Sequence, residues 1–284
     1  MNRITYFPPE TQRQYALNRA RVANKPYAHY FDGDLWIHDE AMEAIRAPID
    51  AALALAPTAT DINRLLDPGY LPVETGYCEL PDGSAYVASR VPFPGCTGDM
   101  LAWWFWWHAV EAERYTLWYP HNHVSATPLD RSVLERPGLS HVQRYVGTTH
   151  RVDEFIGPTR MQITIRFVEP SELGLAEERF AAAGIVGHAC ARVTLLPAGL
   201  EAVTMVHLAR QTSDGFELRS HYWLGHDVRL RGLSVDRMGA ALGIKRRMGG
   251  ARMAYEQLLH DQIEFTHLST FLAPIYAEFG PAGQ

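Results

Sequence analysis

Residues 161–168 read MQITIRFV, and a single alternation organises them. Met161, Ile163, Ile165 and Phe167 fall on one face of an extended chain, Gln162, Thr164 and Arg166 on the other. Three more strand-like runs follow: IVGHACARVTLL (185–196), LEAVTMVHLAR (200–210) and FELRSHYWLG (216–225). The turn-forming stretches PAG and TSDG separate them. Connections this short leave no room for crossover helices, so the sheet is antiparallel. A helical pattern over about 236–272 closes the chain, with Gly249-Gly250 as a kink and Pro274 as its stop. Strands followed by one long helix predict an α+β fold in which a curved antiparallel sheet grips the C-terminal helix. Between sheet and helix there is room for a ligand cavity.

Towards the N-terminus the pattern is mixed. Residues 1–75 combine short helical patterns with proline, the best being DEAMEAIRAPIDAALAL (39–55) and TATDINRLL (58–66), where Thr60 or Asp61 would cap a short helix. This predicts a small, mostly helical N-terminal region ahead of a larger unit over 76–284. ELPDGSAYVASRV then reads as a turn at Pro81-Asp82-Gly83 feeding a strand. Asp99 is placed to cap a helix through MLAWWFWWHAVEAERY (100–115). The run Trp103–Trp107 is aromatic all round, which implies burial on more than one side. It serves either a core or subunit interface, or the wall of a pocket for an aromatic ligand.

Bulk properties exclude several classes. The net charge of −6 over 284 residues argues against a nucleic-acid partner. The basic stretch IKRRMGGAR (244–252) reads as a solvated helix start. Cys78, Cys96 and Cys190 form no CxxC and are odd in number, which suits reduced thiols in a cytoplasmic protein. No apolar h-region opens the chain and no apolar run approaches the length of a membrane span. A soluble cytoplasmic protein is therefore expected.

Chemistry concentrates in three segments. In AYEQLLHDQIEFTHLSTFL (254–272), His260 and Glu264 stand four residues apart, on one helix face, among large apolar neighbours. YTLWYPHNHVSA (115–126) holds His121 and His123, and YVGTTHRVDEFIG (145–157) holds His150, Asp153 and Glu154. Imidazole nitrogen and carboxylate oxygen are ligands for divalent metals of the zinc class. A pair on a rigid helix plus one ligand from each of two earlier segments would suit such a site. The plainer alternative is a helix-stabilising His–Glu hydrogen bond and unrelated loop residues.

These same segments, RYTLWYPHNHVSA, VDEFIG and HDQIEFTHLSTFL, resemble the hydrolase family that includes 2,4-diacetylphloroglucinol hydrolase and phloretin hydrolase. The resemblance covers most of the chain. It implies a Bet v 1-like helix-grip domain, an N-terminal region (1–75) used in dimerisation, and a catalytic domain over 76–284. It also implies a bound zinc held by His123, Glu154, His260 and Glu264, in a ligand set that Fe2+ or Mn2+ would also accept. His123 is preferred to His121 because the family shows the W-x-P-x-x-H spacing that starts here at Trp118. Tyr115, His207 and Tyr222 match further family groups, as catalytic residues and, for the two tyrosines, substrate contacts. Trp107 is the tryptophan expected to touch substrate. His267 lies near the His260 face, as a supporting partner or simply a polar residue.

The activity implied is hydrolysis of the carbon–carbon bond between a polyhydroxylated aromatic ring and its acyl group. A small acyl-phenol is then the substrate and a homodimer the expected assembly. Two rival readings carry different consequences. A non-heme iron oxygenase would consume oxygen, and an apolar-ligand carrier would need no polar quartet.

Overall fold

A computed structural model describes residues 1–134, 136–235, 245 and 250–281. The chain opens with β1 (Asn2–Arg3), α1 (Pro9–Val22), β2 (Trp36–Ile37), α2 (Asp39–Ala44) and α3 (Ala59–Ile62). The hairpin β3 (Gly76–Glu79) and β4 (Ala85–Pro94) leads into α4 (Gly98–Val110) and α5 (Ala112–Trp118). Then come β5 (His123–Pro128), α6 (His141–Tyr145), β6 (Thr149–Ile156), β7 (Thr159–Val168), β8 (Ile185–Leu195), β9 (Leu200–Gln211), β10 (Gly215–Leu230) and β11 (Leu233–Ser234). The long helix α7 (Gly250–Phe279) follows.

Among the described residues, β3 to β11 form one nine-stranded sheet in the order β3-β4-β10-β9-β8-β7-β6-β5, with β11 beside β10. Every pairing is antiparallel, as the short connections require. α7 packs along β4 and β3 and reaches α4, α5 and β6. Its stripe of Ala254, Leu258, Phe265, Leu268, Leu272 and Ile275 is fully buried in the main core. The alternating face Met161–Ile163–Ile165–Phe167 turns towards this helix across a cavity. The architecture is the α+β helix grip expected from the strand pattern. No described helix is long and apolar enough to cross a membrane.

Several local expectations are corrected. Thr58, not Thr60 or Asp61, caps α3, its hydroxyl accepting from the Asp61 amide at 3.2 Å. Thr97, not Asp99, caps α4; Asp99 instead sits in the first turn, where the helix dipole favours a negative charge. The tryptophan helix breaks at Glu111, whose extended backbone separates α4 from α5. The pattern from Asp39 gives only six helical residues, then a short 3₁₀ turn at Ala51–Leu53, since Pro48 cannot continue the ladder. Pro274 does not stop α7, which runs on to Phe279. Packing of the extra turn outweighs the lost hydrogen bond: Ile275 is buried, Tyr276 meets Trp103 edge-on, and Phe279 packs on Tyr27 and Trp107. In the basic stretch, Lys245 is buried and donates to Asp82 Oδ2 at 2.8 Å rather than facing solvent. The expected helix over 236–249 otherwise lies outside the described residues, as does the Gly249 half of the kink. The three cysteines are buried free thiols.

The N-terminal segment is fastened to the sheet by a buried ion pair. Arg219 on β10 is 1% exposed; its Nε and Nη2 donate to the two Glu74 oxygens at 2.8 and 2.7 Å, and its Nη1 to the Leu65 carbonyl at 2.8 Å. Deleting one partner leaves a desolvated charge with nothing to answer it. Glu74→Ala is expected to lower the unfolding free energy by about 3–5 kcal/mol, seen as a shifted urea midpoint. An unchanged midpoint would show that Arg219 finds water or another acceptor there.

Candidate active site

Strand register builds half of the site. His123 and Glu154 are directly paired residues on β5 and β6, so their side chains emerge side by side. α7 supplies His260 and Glu264 from consecutive turns of one face. The ligand atoms of His123, Glu154 and His260 all lie within 4.8 Å of one another. His123 Nε2 is 3.4 Å from His260 Nε2, 3.3 Å from Glu264 Oε2 and 3.8 Å from Glu154 Oε2. His260 Nε2 and Glu264 Oε2 stand 3.8 Å apart. All four residues are buried.

This set fits a divalent cation. His123 Nδ1 donates to the Tyr115 carbonyl at 3.1 Å, which leaves the Nε2 lone pair turned to the centre, the tautomer a metal requires. Burial, then the neighbouring His260, holds His123 well below its usual pKa, and burial lowers His260 to about 3, so both rings are neutral donors. Burial pushes Glu154 up to about 7; burial, then Asp261 and Glu154, pushes Glu264 well above the carboxylate range. Two carboxylates in so dry a space call for protons or a cation. Ligands about 2.0–2.1 Å from a tetrahedral ion stand roughly 3.4 Å from each other, close to the two shortest separations here. The buried group can therefore hold a metal.

The supporting contacts come from far along the chain. Asn18 on α1 donates to the carbonyls of His123 (2.6 Å) and Pro120 (2.9 Å), so the N-terminal helix sets the entry to β5. The Tyr115 ring stacks on His123 at 3.8 Å, and its hydroxyl donates to Glu154. Gly157, at φ +56°, turns β6 into β7 in a backbone conformation that favours glycine, beside the Glu256 carboxylate of α7.

Beside this centre lies a cavity of about 330 Å³ between sheet and helix. Ile163, Ile165 and Phe167 of β7 and Val193 and Leu195 of β8 give it an apolar wall; His108, Tyr115, Glu154, Tyr222, His260 and Glu264 are among its polar groups. Tyr222 donates to Asp261 Oδ2 at 2.6 Å, and its hydroxyl is 3.4 Å from His207 Nε2. His207 Nδ1 bonds Ser220 Oγ at 2.7 Å, directly across the β9–β10 ladder. Ser89 also donates to Asp261, whose carboxyl burial raises to about 6 against these hydrogen bonds.

The structure thus brings Glu154, His260, Glu264, Tyr115, His207 and Tyr222 to one cavity, with His123 beside them at 3.4 Å from His260. Trp107 is not on its wall: it packs in the core against Tyr27, Trp103 and Phe279. Phe105 of α4 and Trp118 of α5 supply the aromatic wall instead. His121 is sandwiched between Phe7 and Tyr15, away from the centre. His267 bonds the Trp118 carbonyl at 3.0 Å and so steadies that wall. Asp261, unnoticed in the sequence, stands three residues before Glu264, a spacing that already placed it near the same face. His108 and His150 also line the cavity.

The family described as DAPG hydrolase PhiG domain matches residues 55–277. The chain belongs to this family. It is 38% identical to 2,4-diacetylphloroglucinol hydrolase of Pseudomonas protegens, over 99% of this chain and 93% of that one. A second DAPG-family relative, from Pseudomonas sp, is also 38% identical, over 99% of this chain and 97% of that one. Phloretin hydrolase of Eubacterium ramulus is 28% identical over 72% of this chain and 71% of its own. Among solved structures, a Streptomyces aromatase/cyclase is similar at a TM-score of 0.36 and 12% identity, over 70% of this chain and 98% of that one.

Buried histidines give this DAPG-family chain a defined acid response. Burial is the leading cause that lowers His108 and His207 to about 3, His121 and His150 to about 4, and His123, His221, His260 and His267 below their usual range. The unfolded chain takes up these protons near pH 6.5, so their stabilisation is complete above that pH and declines as pH falls towards 3–4. Glu154, Glu256, Asp261 and Glu264, raised by burial, act oppositely, but the eight rings outnumber the four acids. The urea midpoint is therefore expected to fall between pH 7.5 and pH 5. A midpoint that rises would mean that the acids dominate.

Proposed function

We propose that the protein is a metal-dependent hydrolase that cleaves the carbon–carbon bond between a polyhydroxylated aromatic ring and its acyl group. Acylphloroglucinols are the substrate class that its relatives' names suggest. The observation that carries this reading is the buried His123–Glu154–His260–Glu264 group opening on a cavity whose polar side presents Tyr115, Tyr222 and His207. Zinc suits two imidazoles and two carboxylates. An ion held there supplies positive charge that polarises a carbonyl and acidifies water.

The protein's own groups handle the ring. An aryl carbon leaves poorly as a carbanion, but a ring with hydroxyls ortho and para to the acyl group can pass to its keto tautomer. With Nδ1 donating to Ser220 Oγ, His207 presents its Nε2 lone pair beside the Tyr222 hydroxyl, 3.4 Å away. It takes the proton of a ring hydroxyl and returns it to the ring carbon that bears the acyl group. Water then adds to the acyl carbonyl carbon. The bond to the ring breaks, its electron pair returns to the ring as a phenolate, and a proton from water neutralises that oxygen. The products are a carboxylic acid and the deacylated phenol. Tyr115 and Tyr222, fixed by Glu154 and Asp261, orient the ring hydroxyls. The apolar wall of β7 and β8 takes the acyl chain.

Residues 1–75 carry exposed Tyr6, Leu17, Trp36, Leu53 and Tyr70, which supports the reading of this region as a homodimer contact.

Elemental analysis of wild type is expected to return about one divalent ion per chain, and His260→Ala to lose both the ion and turnover of monoacetyl- and diacetylphloroglucinol. An active, well-folded wild type without stoichiometric metal would overturn the metal reading. His207→Ala should retain the ion and lower kcat about 10²–10⁴-fold with little change in KM. Full kcat in that variant would remove His207 from the proton path.

A further inference from the structure

Two histidines in the cavity wall take no part in the chemistry above. His108 on α4 is 3% exposed and His150 on β6 is 1% exposed, and both line the cavity beneath Phe105 and Phe167. They lie close enough for His150 to influence the charge of His108. Replacing either by Phe or Leu would suit an apolar cavity end at no desolvation cost, so their polarity calls for a partner.

Their tautomers follow from the bonds they make. His108 Nδ1 is 2.7 Å from the Trp104 carbonyl, which can only accept, so Nδ1 carries the proton. His150 Nε2 is 3.0 Å from Thr148 Oγ1, whose own hydrogen is committed to the Tyr145 carbonyl at 2.5 Å. The His150 ring therefore donates from Nε2. In a neutral ring the other nitrogen is then a bare lone pair: Nε2 of His108 and Nδ1 of His150. Burial keeps both rings neutral, with pKa values lowered to about 3 and about 4. Neither lone pair has a protein partner among the described residues, and neither is among the polar atoms sealed from all access.

We propose that His108 and His150 form a hydrogen-bond-acceptor pair that recognises hydroxyl donors on the substrate ring, at the part of the cavity lined by Phe105 and Phe167. The proposal rests on the hydrolase reading for the identity of the ring, and it narrows the substrate class to phenols with more than one free hydroxyl. Hydroxyl groups are the matched ligand because both nitrogens accept and neither donates. A ring carbonyl or methyl ether at the same place would leave two lone pairs facing another. Phe105 and Phe167 bound this end, so the ring plane is confined while its hydroxyls meet the imidazoles.

Binding of the deacylated ring separates this subsite from turnover. Calorimetry with phloroglucinol and resorcinol on the metal-loaded wild type is expected to show phloroglucinol bound about tenfold tighter, the effect of one more paired hydroxyl. In His108→Phe and His150→Phe, which keep an aromatic ring and remove the acceptor, this ratio should fall towards one. His108→Gln, whose amide oxygen still accepts, should retain most of it. A wild type that does not prefer phloroglucinol, or a ratio unchanged in both Phe variants, would overturn the acceptor pair. Should the Phe variants fail to fold, wild type with phloroglucinol and its mono-O-methyl ether decides, equal affinities counting against the pair. A wild type that hydrolyses no acylphloroglucinol yet shows the histidine-dependent ratio would sink the hydrolase reading and leave the subsite standing.

Discussion

Glu154 and Glu264 are buried within 3.8 Å and 3.3 Å of one imidazole nitrogen, and much of the molecule is arranged around that confinement. In water two carboxylates at such range would repel weakly. In a space without solvent their charges cannot coexist unless a cation or protons answer them. Holding them there requires elements that do not yield. The β5–β6 ladder fixes Glu154 against His123, α7 fixes Glu264 one turn from His260, and Asn18 reaches from α1 to hold the His123 carbonyl. The N-terminal segment is in turn fastened by the Arg219–Glu74 pair, so the first 75 residues bear on the site through backbone contacts.

The cavity inherits an asymmetry from this arrangement. β7 and β8 contribute Ile163, Ile165, Phe167, Val193 and Leu195 and no titratable group, while β6, β9, β10, α4, α5 and α7 bring the titratable ones. The same asymmetry explains why burial shifts so many groups in the neutral direction: a polar wall shut away from water favours uncharged forms unless a partner supplies the missing charge.

Period-2 patterning made the sheet legible. Residues 161–167 alternate because one face meets the cavity and the other is more exposed; Val168 breaks the pattern where the outer face joins a second apolar cluster. His260 and Glu264 stood out because polar side chains among Leu259, Ile263 and Leu268 need a reason to be there. Other features depended on information that one segment does not hold. The cap at Thr58 and the run of α7 through Pro274 follow from tertiary packing, which overrides local propensity by small margins. Trp107 and Phe105 differ by two positions on one helix, and only the packing of Tyr27 and Phe279 decides which of them meets the cavity. The roles of His108 and His150 rest on which nitrogen is already engaged, by Trp104 and Thr148, and no spacing rule contains that.

The phase of α7 unites these parts. Successive helical residues are turned by about 100°, so His260 and Glu264 lie about 40° apart, with Asp261 about 60° beyond Glu264 on the same side. One turn therefore serves two sites: the His–Glu group on one flank, and on the other the Ser89–Asp261–Tyr222 bonds that lead to His207. A shift of the helix by one residue would carry all three off target and drive Ile263 or Phe265 into the place of Glu264. The flanking Leu258, Phe265, Leu268 and Leu272, each fully buried, make that shift expensive, since every one would leave its place in the core. Apolar packing thus fixes the rotation of the helix, and the rotation of the helix fixes the chemistry.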